Sequence, residues 1–278
     1  MRQEKWKKNV LMLLAYVSII AILFVFIFPI IWELSTSLKT NAETFGGYNL
    51  IPHQFTFEGY VKALTESNMG RYFFNTVLIS FTVVFGSAIS CSLAGFAFAQ
   101  LKFPGRDFLF FFYITTLMIP FSVTLIPTYF IMIQLGWVNT YYALIIPSFL
   151  GNAFGTFLLR QFYMTQPREL FESATIDGAN YFQIWLRIMA PLTAPAVATF
   201  ALMTLQIQWN SLLWPLVVTQ SPQFKTLALG LSDFRLVRVV NWNAMMAAVM
   251  ISTAPMIILL FLANKLFLRS IQLSGVNK

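Results

Sequence analysis

Of the chain's 278 residues 58% are hydrophobic and only 10% charged, against about a quarter charged in an ordinary globular domain. That composition excludes a water-exposed surface over most of the chain and places it in a lipid bilayer. The 18 basic and 10 acidic residues leave a net charge of +8, which anionic lipid headgroups on one membrane face account for without any nucleic acid.

A helix needs about 20 uncharged residues to cross a hydrocarbon core of roughly 30 Å. Five uncharged tracts qualify: Val10 to Trp32, Tyr72 to Leu101, Phe108 to Leu159, Ile188 to Phe224 and Val239 to Asn264. The first follows Lys5, Lys7 and Lys8. It is longer than the roughly 7 to 15 apolar residues of a secretory signal and lacks a small-residue cleavage site, so it reads as a retained span. The third tract, at about 1.5 Å per residue, exceeds twice the core thickness and must turn once. "QLGWVNTYY" (Gln134 to Tyr142), polar and aromatic, is the natural turn. The expectation is an all-α membrane protein, one domain over 1–278, with six transmembrane helices at about 10–34, 72–100, 107–133, 142–163, 188–218 and 243–267.

With six spans both termini share a side. Arg2, Lys5, Lys7, Lys8, Lys102, Arg106, Arg160, Arg168, Arg187, Lys265, Arg269 and Lys278 fall on the terminal side, and Lys39, Lys62, Arg71, Lys225, Arg235 and Arg238 on the other. The excess of basic residues predicts that both termini are cytoplasmic in a multi-pass plasma-membrane protein.

In chain order, the outer loop from Ser35 to Gly70 contains "FTFEGYVKAL" (Phe55 to Leu64). Its Phe57, Tyr60, Val61 and Leu64 recur at helical spacing and predict a short surface helix. "LKFPGRD" (Leu101 to Asp107) is a tight basic turn between spans two and three. "GNAFG" (Gly151 to Gly155) has the small-xxx-small spacing that brings helices close, more simply inside the chain than between copies. Pro29, Pro120, Pro127, Pro147, Pro191, Pro195, Pro215 and Pro255 fall within spans and predict kinks, with the pair Pro191 and Pro195 suited to a hinge.

No ionisable residue lies deep within a span, which argues against a proton-driven carrier and against an intramembrane hydrolase. One cysteine, Cys91, and one histidine, His53, make neither a disulfide, a metal cluster nor a Cys/His pair. The polar residues within spans are neutral: Asn75, Asn152, Gln206, Gln208 and Asn210. Gln206, Gln208 and Asn210 crowd together beside Trp209 and Trp214, and serve either interhelical hydrogen bonds or a polar pathway for a neutral solute. None of the thirteen glycines precedes a lysine, so a phosphate-cradling P-loop is missing from the sequence and any ATP must be bound by another chain.

A further polar interruption of mixed charge is "TQPRELFESATIDGANYF" (Thr165 to Phe182), in the expected cytoplasmic loop 165–187. Pro167 and Glu169 suit the start of a helix, Gly178 a left-handed stop, and Asn180 the cap of the next helix. The helix, about eleven residues long, is too short to span. Leu170, Phe171 and Ala174 share an apolar face, expected to dock into a groove of another protein or to lie on lipid, and Arg168, Glu169 and Glu172 form a polar rim.

"ESATIDGANYFQIWLRIMAP" (Glu172 to Pro191) resembles the EAA loop of ATP-binding-cassette importer permeases: Glu-Ala-Ala, three residues, Gly, nine residues, Ile-x-Leu-Pro. Glu172, Ala174, Gly178, Ile188 and Pro191 are in register, while Ser173 and Ala190 depart from it. "WNSLLWPL" (Trp209 to Leu216), with Ser211 where aspartate is common, is similar to the WNDFLWPL of carbohydrate permeases. "TLALGLSDF" (Thr226 to Phe234), "WNAMMAAVM" (Trp242 to Met250) and "SIQLSGVNK" (Ser270 to Lys278) resemble the last third of the second, maltose-type permease subunit.

The resemblance implies a type I importer permease rather than an enzyme, for a carbohydrate or another solute such as glycerol phosphate. It implies a second permease subunit, a cytoplasmic ATPase dimer that binds the ATP, and an extracytoplasmic sugar-binding protein as partners. Glu172, Ser173, Ala174, Asp177 and Gly178 would seat the coupling helix on the ATPase, and the C-terminal tail would reach between the ATPase subunits. A non-transporting scaffold that docks an ATPase is the alternative of a different class.

Overall fold

A computed structural model describes residues 2–47, 49–234 and 241–274. Arg235, Arg238 and the end of the C-terminal tail (275–278) lie outside the described residues. All regular structure among the described residues is helical.

Four stretches are long and apolar enough to cross a membrane. They are Asn9–Ser37 within α1 (Arg2–Ser37), α4 (Met69–Gln100), the stretch Tyr141–Met164 made of two helices in line, and Trp242–Leu262 within α15 (Trp242–Ser274). Two bent pairs bring the number to six when each is counted as one span. The first joins Arg106–Met118, which includes α5 (Arg106–Thr115), to α6 (Phe121–Gln134) across a bend of 101°. The second joins Tyr181–Leu192 to α12 (Ala194–Trp209) across 80°.

Both bends fall at prolines from which kinks were expected, and bend the spans read over 107–133 and 188–218 sharply. Ile119 is extended (φ −86°, ψ 112°) because the Pro120 ring disfavours the helical region for the residue before it. Thr193 sits between Pro191 and Pro195 with non-helical angles (φ −97°, ψ 8°). After α12 a separate short helix, α13 (Leu213–Val218), completes the segment.

The chain forms two compact units. The first comprises residues 1–70 and 231–254. The loop after α1 carries α2 (Asn41–Phe45) and α3 (Glu58–Thr65), the latter where a short helix was read from the sequence. α3 lies on the surface as expected, with Gly59 and Ala63 buried on its underside and Phe57, Val61 and Leu64 exposed. Small residues win because the helix backbone rests on the start of α15, where a Cβ on Gly59 would come within 2.7 Å of the Asn243 carbonyl oxygen. Ser37 and Tyr60 hydroxyls lie 2.9 Å apart, and the Asn243 amide donates to the Lys39 carbonyl at 3.1 Å.

The second unit comprises residues 71–230 and 255–278. Here α4 packs against α8 (Ala153–Met164), which follows α7 (Tyr141–Phe149) after a break at Leu150 to Asn152. The glycines of "GNAFG" serve this contact and that of α8 with α12: a Cβ on Gly151 or on Gly155 would meet Cys91 Sγ of α4 at 2.6 and 2.7 Å, and one on Gly155 also the Phe200 ring of α12 at 2.4 Å. Close approach of small residues lets dispersion and hydrogen bonds hold helices together where lipid supplies no hydrophobic drive. The core so formed gathers Cys91, Phe96, Leu159, Tyr163, Ile184 and Phe200.

Candidate functional site

The interrupting segment folds as two short helices around a closed turn. Pro167 (φ −56°, ψ 126°) precedes α9 (Arg168–Ile176), which is nine residues long, with Glu169 in its first turn, where a carboxylate complements the positive end of the dipole. The C-terminus of α9 is a Schellman motif: the Ala179 amide donates to Ala174 O at 3.0 Å and the Gly178 amide to Thr175 O at 3.1 Å. Gly178 supplies the left-handed residue (φ 82°), the conformation read from the sequence. Asn180 then caps α10 (Tyr181–Ile184) in a reciprocal box, its side chain accepting from the Gln183 amide at 2.9 Å while its own amide donates to Gln183 Oε1 at 3.0 Å. With the end groups of both helices tied, the turn is a rigid elbow.

The two sides of α9 differ. Ala174 is buried and Phe171 half-buried, packed on the core of α4 and α8, and the Phe171 ring lies 6.2 Å from Phe96 and stacks on Tyr181 at 6.1 Å. Most of the apolar face expected to seek another protein or lipid is thus used inside the chain. Leu170, Glu172, Ser173, Ile176, Asp177 and Gly178 face outward, with Ile176 86% exposed. Four of the five residues read as a coupling set are therefore open, and Ala174 is the one turned inward. Glu172 Oε1 accepts from Arg168 Nε at 3.1 Å. Both side chains are more than half exposed, so this i,i+4 pair contributes only about 0.3–0.5 kcal/mol.

From α10 the chain enters a π-turn over Trp185–Met189, in which the Ala190 amide donates to Trp185 O, five residues back. The Trp185 indole is buried and donates to Ser92 Oγ at 3.0 Å. Ser92 Oγ in turn lies 2.6 Å from the Tyr163 hydroxyl, and Gln100 donates to Tyr163 O at 2.8 Å. This network links the elbow to α4 and α8, and nothing in the linear spacing of Ser92, Tyr163 and Trp185 announces it. α11 (Ala190–Leu192) follows, then the 80° bend at Thr193, whose hydroxyl donates to Met189 O at 2.9 Å.

The polar residues read from the spans separate. Asn75 is buried and saturated: it donates to Gln223 O (2.9 Å) and Lys225 O (2.8 Å) and accepts from the Tyr141 hydroxyl (2.7 Å). Asn152 caps α8, accepting from the Gly155 amide at 2.7 Å. Asn210 ends α12 and donates back to Gln206 O at 2.9 Å. Gln208 alone of the five lines a cleft of about 560 Å³, together with Thr128, Ser148, Ser211 and Trp214. Trp214 is fixed by its indole donating to Ala143 O at 2.8 Å and by an edge-on Phe121 ring at 6.4 Å. Ile207, Ser211, Leu212, Leu213 and Trp214 line the cleft beside Gln208 in sequence, in or next to "WNSLLWPL", whereas Phe121 and Thr128 of α6 and Pro147 and Ser148 of α7 come from elsewhere in the chain.

The described residues thus carry up to six apolar segments long enough to cross a membrane, an exposed elbow, and a largely apolar cleft onto which Gln208, Thr128, Ser148 and Ser211 open. Residues 86–273 match the family described as binding-protein-dependent transport system inner membrane component, and the chain belongs to that family. It is 32% identical over 260 residues to the arabinooligosaccharides transport system permease protein AraQ of Halalkalibacterium halodurans, covering 92% of this chain and 93% of that one. It is 29% identical over 271 residues to the sn-glycerol-3-phosphate transport system permease protein UgpE of Brucella suis biovar 1, covering 93% and 95%. A chain in the crystal structure of a bacterial ABC transporter involved in the import of the acidic polysaccharide alginate superimposes with a TM-score of 0.84 at 22% identity, covering 92% and 96%. The fold is that of an ABC importer permease in the plasma membrane.

Proposed function

We infer that this chain is the permease subunit of an ATP-driven, binding-protein-dependent importer of a carbohydrate, forming half of the pathway beside a second permease. Both termini and the elbow face the cytoplasm in this reading, as the distribution of basic residues supports. ATP is bound and hydrolysed by a cytoplasmic ATPase dimer, and an extracytoplasmic protein delivers the solute.

The observation that carries the reading is the elbow itself. Glu172, Ser173, Asp177 and Gly178 are exposed on a short helix whose other side is fixed to the core. A surface of that kind accepts force from outside and passes it inward. Glu172 exchanges its weak pairing with Arg168 for a basic group of the ATPase at little cost. Ala174 acts from within, as the contact through which α9 moves the core. The Trp185 network then carries the motion to α4 and α8, and the proline-bracketed bend carries it to α12 and the cleft at Gln208.

The test is uptake in liposomes holding this chain with its partner subunits and binding protein, with ATP present or absent inside. The reading predicts ATP-dependent accumulation of an arabino-oligosaccharide or a related sugar. Flux without ATP would contradict it. The likeness to the UgpE chain supports a second solute class, and accumulation of sn-glycerol 3-phosphate but no sugar would select that class.

A further inference from the structure

Where the first apolar stretch meets the loop that follows it, the first unit has a half-open pocket of about 200 Å³ lined by Trp32, Thr36, Lys39, Thr44, Trp242 and Met246. Lys39 is 2% exposed, yet no carboxylate pairs with it among the described residues. Its Nζ donates to the Asn49 carbonyl and lies 5.1 Å from the centre of the Trp32 ring. A carbonyl and a π-face take up part of what an ammonium with three donors requires, and neither supplies a counter-charge. Thr36, 8% exposed, lines the same pocket, and its hydroxyl has no hydrogen-bond partner among the described residues. A buried cation and a buried idle hydroxyl on one small pocket are each costly unless something anionic completes them.

The location limits what that is. Trp32 lies near the end of the apolar stretch Asn9–Ser37, and Trp242 opens α15, so the two indoles occupy the ends of two spans, the position of an interfacial aromatic belt. The apolar side chains of α1 from Leu11 to Phe28 are exposed, a surface suited to acyl chains. The volume is below the roughly 300–1,000 Å³ of drug-sized ligand sites and suits one compact oxyanion with its ester carbons better than a sugar chain.

We propose that this pocket binds the phosphate ester of a phospholipid headgroup, with the Lys39 ammonium and the Thr36 hydroxyl as donors to its oxygens. The bound headgroup fixes the first unit at the height of the membrane surface.

The test is native mass spectrometry of the intact transporter, delipidated and titrated with phosphatidylglycerol. The unaltered chain retains one tightly held lipid that Thr36→Val and Lys39→Met each weaken by about tenfold or more, while Lys39→Arg keeps it. Thr36→Val is nearly isosteric and answers the question alone should Lys39→Met fail to assemble. Equal retention by all variants overturns the proposal. The same titration with inorganic phosphate and with sn-glycerol 3-phosphate distinguishes the source. Lys39-dependent binding of these free anions without lipid retention keeps the oxyanion site but overturns the lipid as its occupant.

Discussion

The elbow at Asp177 to Ala179 and the break at Asn210 to Leu212 both interrupt a helical path, and they are built in opposite ways. At the elbow, a Schellman motif closes one helix and a reciprocal capping box opens the next, each capping interaction contributing about 1 kcal/mol. At the second break α12 ends on Asn210, and α13 begins at Leu213 with no side-chain cap, Ser211 and Leu212 lining a cleft instead. The first break is tied on both of its sides. The second is tied on its α12 side alone, where the Asn210 and Ser211 amides donate to Gln206 O and Gln208 O. Between them lie a π-turn and an 80° bend bracketed by Pro191 and Pro195, where helix geometry changes most readily.

Breaking the rigid device should have the largest effect. Gly178→Val forces a β-branched residue to φ 82°, a strain of at least about 1–2 kcal/mol, although open space surrounds the site. ATP-driven uptake should be lost while immunoblots of the membrane fraction show the chain at its usual level. Uptake at the normal rate would mean that the elbow's shape is immaterial.

Trp185→Phe removes one buried donor and half of the indole bicycle, a change of roughly 1–3 kcal/mol in stability once the small cavity is added to the lost hydrogen bond. It should lower the solute moved per ATP hydrolysed several-fold, a ratio that a merely structural tryptophan would leave alone. At the pliable break, Gln208→Leu should alter the KM for solute about two- to tenfold without changing the amount of ATPase that co-purifies, in keeping with the loss of one or two neutral hydrogen bonds. Asn75→Leu, by contrast, should lower the thermal midpoint in detergent and affect all solutes alike, since Asn75 spends three hydrogen bonds on other protein groups. The smallest effect belongs to Arg168→Ala: the exposed pair it breaks should change stability by no more than about 0.5 kcal/mol in a melting curve.

How much of this was legible in the sequence follows from the range of each interaction. Gly178 and Asn180 were readable because caps and turns are set by residues within four positions of one another. Apolar segments long enough to span, four of them or up to six with each bent pair counted as one, were readable because span length is a property of composition. The sharp bends at Pro120 and Thr193 were readable as kinks but not as angles, which neighbouring helices set. The inward turn of Phe171 and Ala174 was not readable, because an apolar stripe looks the same whether it meets the chain's own core or a partner. Asn75 and Gln208 looked alike as neutral polar residues in spans. Only the distant carbonyls of Gln223 and Lys225 separate the saturated one from the one that lines the cleft.

The inward and outward sides of α9 offer the most direct test of the central claim. Cys91 is the only cysteine and is buried, so S173C and A174C each introduce one new thiol, exposed at 173 and enclosed at 174. Maleimide labelling would be measured on the chain alone and on the assembled transporter. The account predicts rapid labelling of S173C that the ATPase blocks, and slow labelling of A174C in both states. Labelling of S173C at the same rate with the ATPase bound would contradict it, because the exposed side of the elbow would then not be where the ATPase sits.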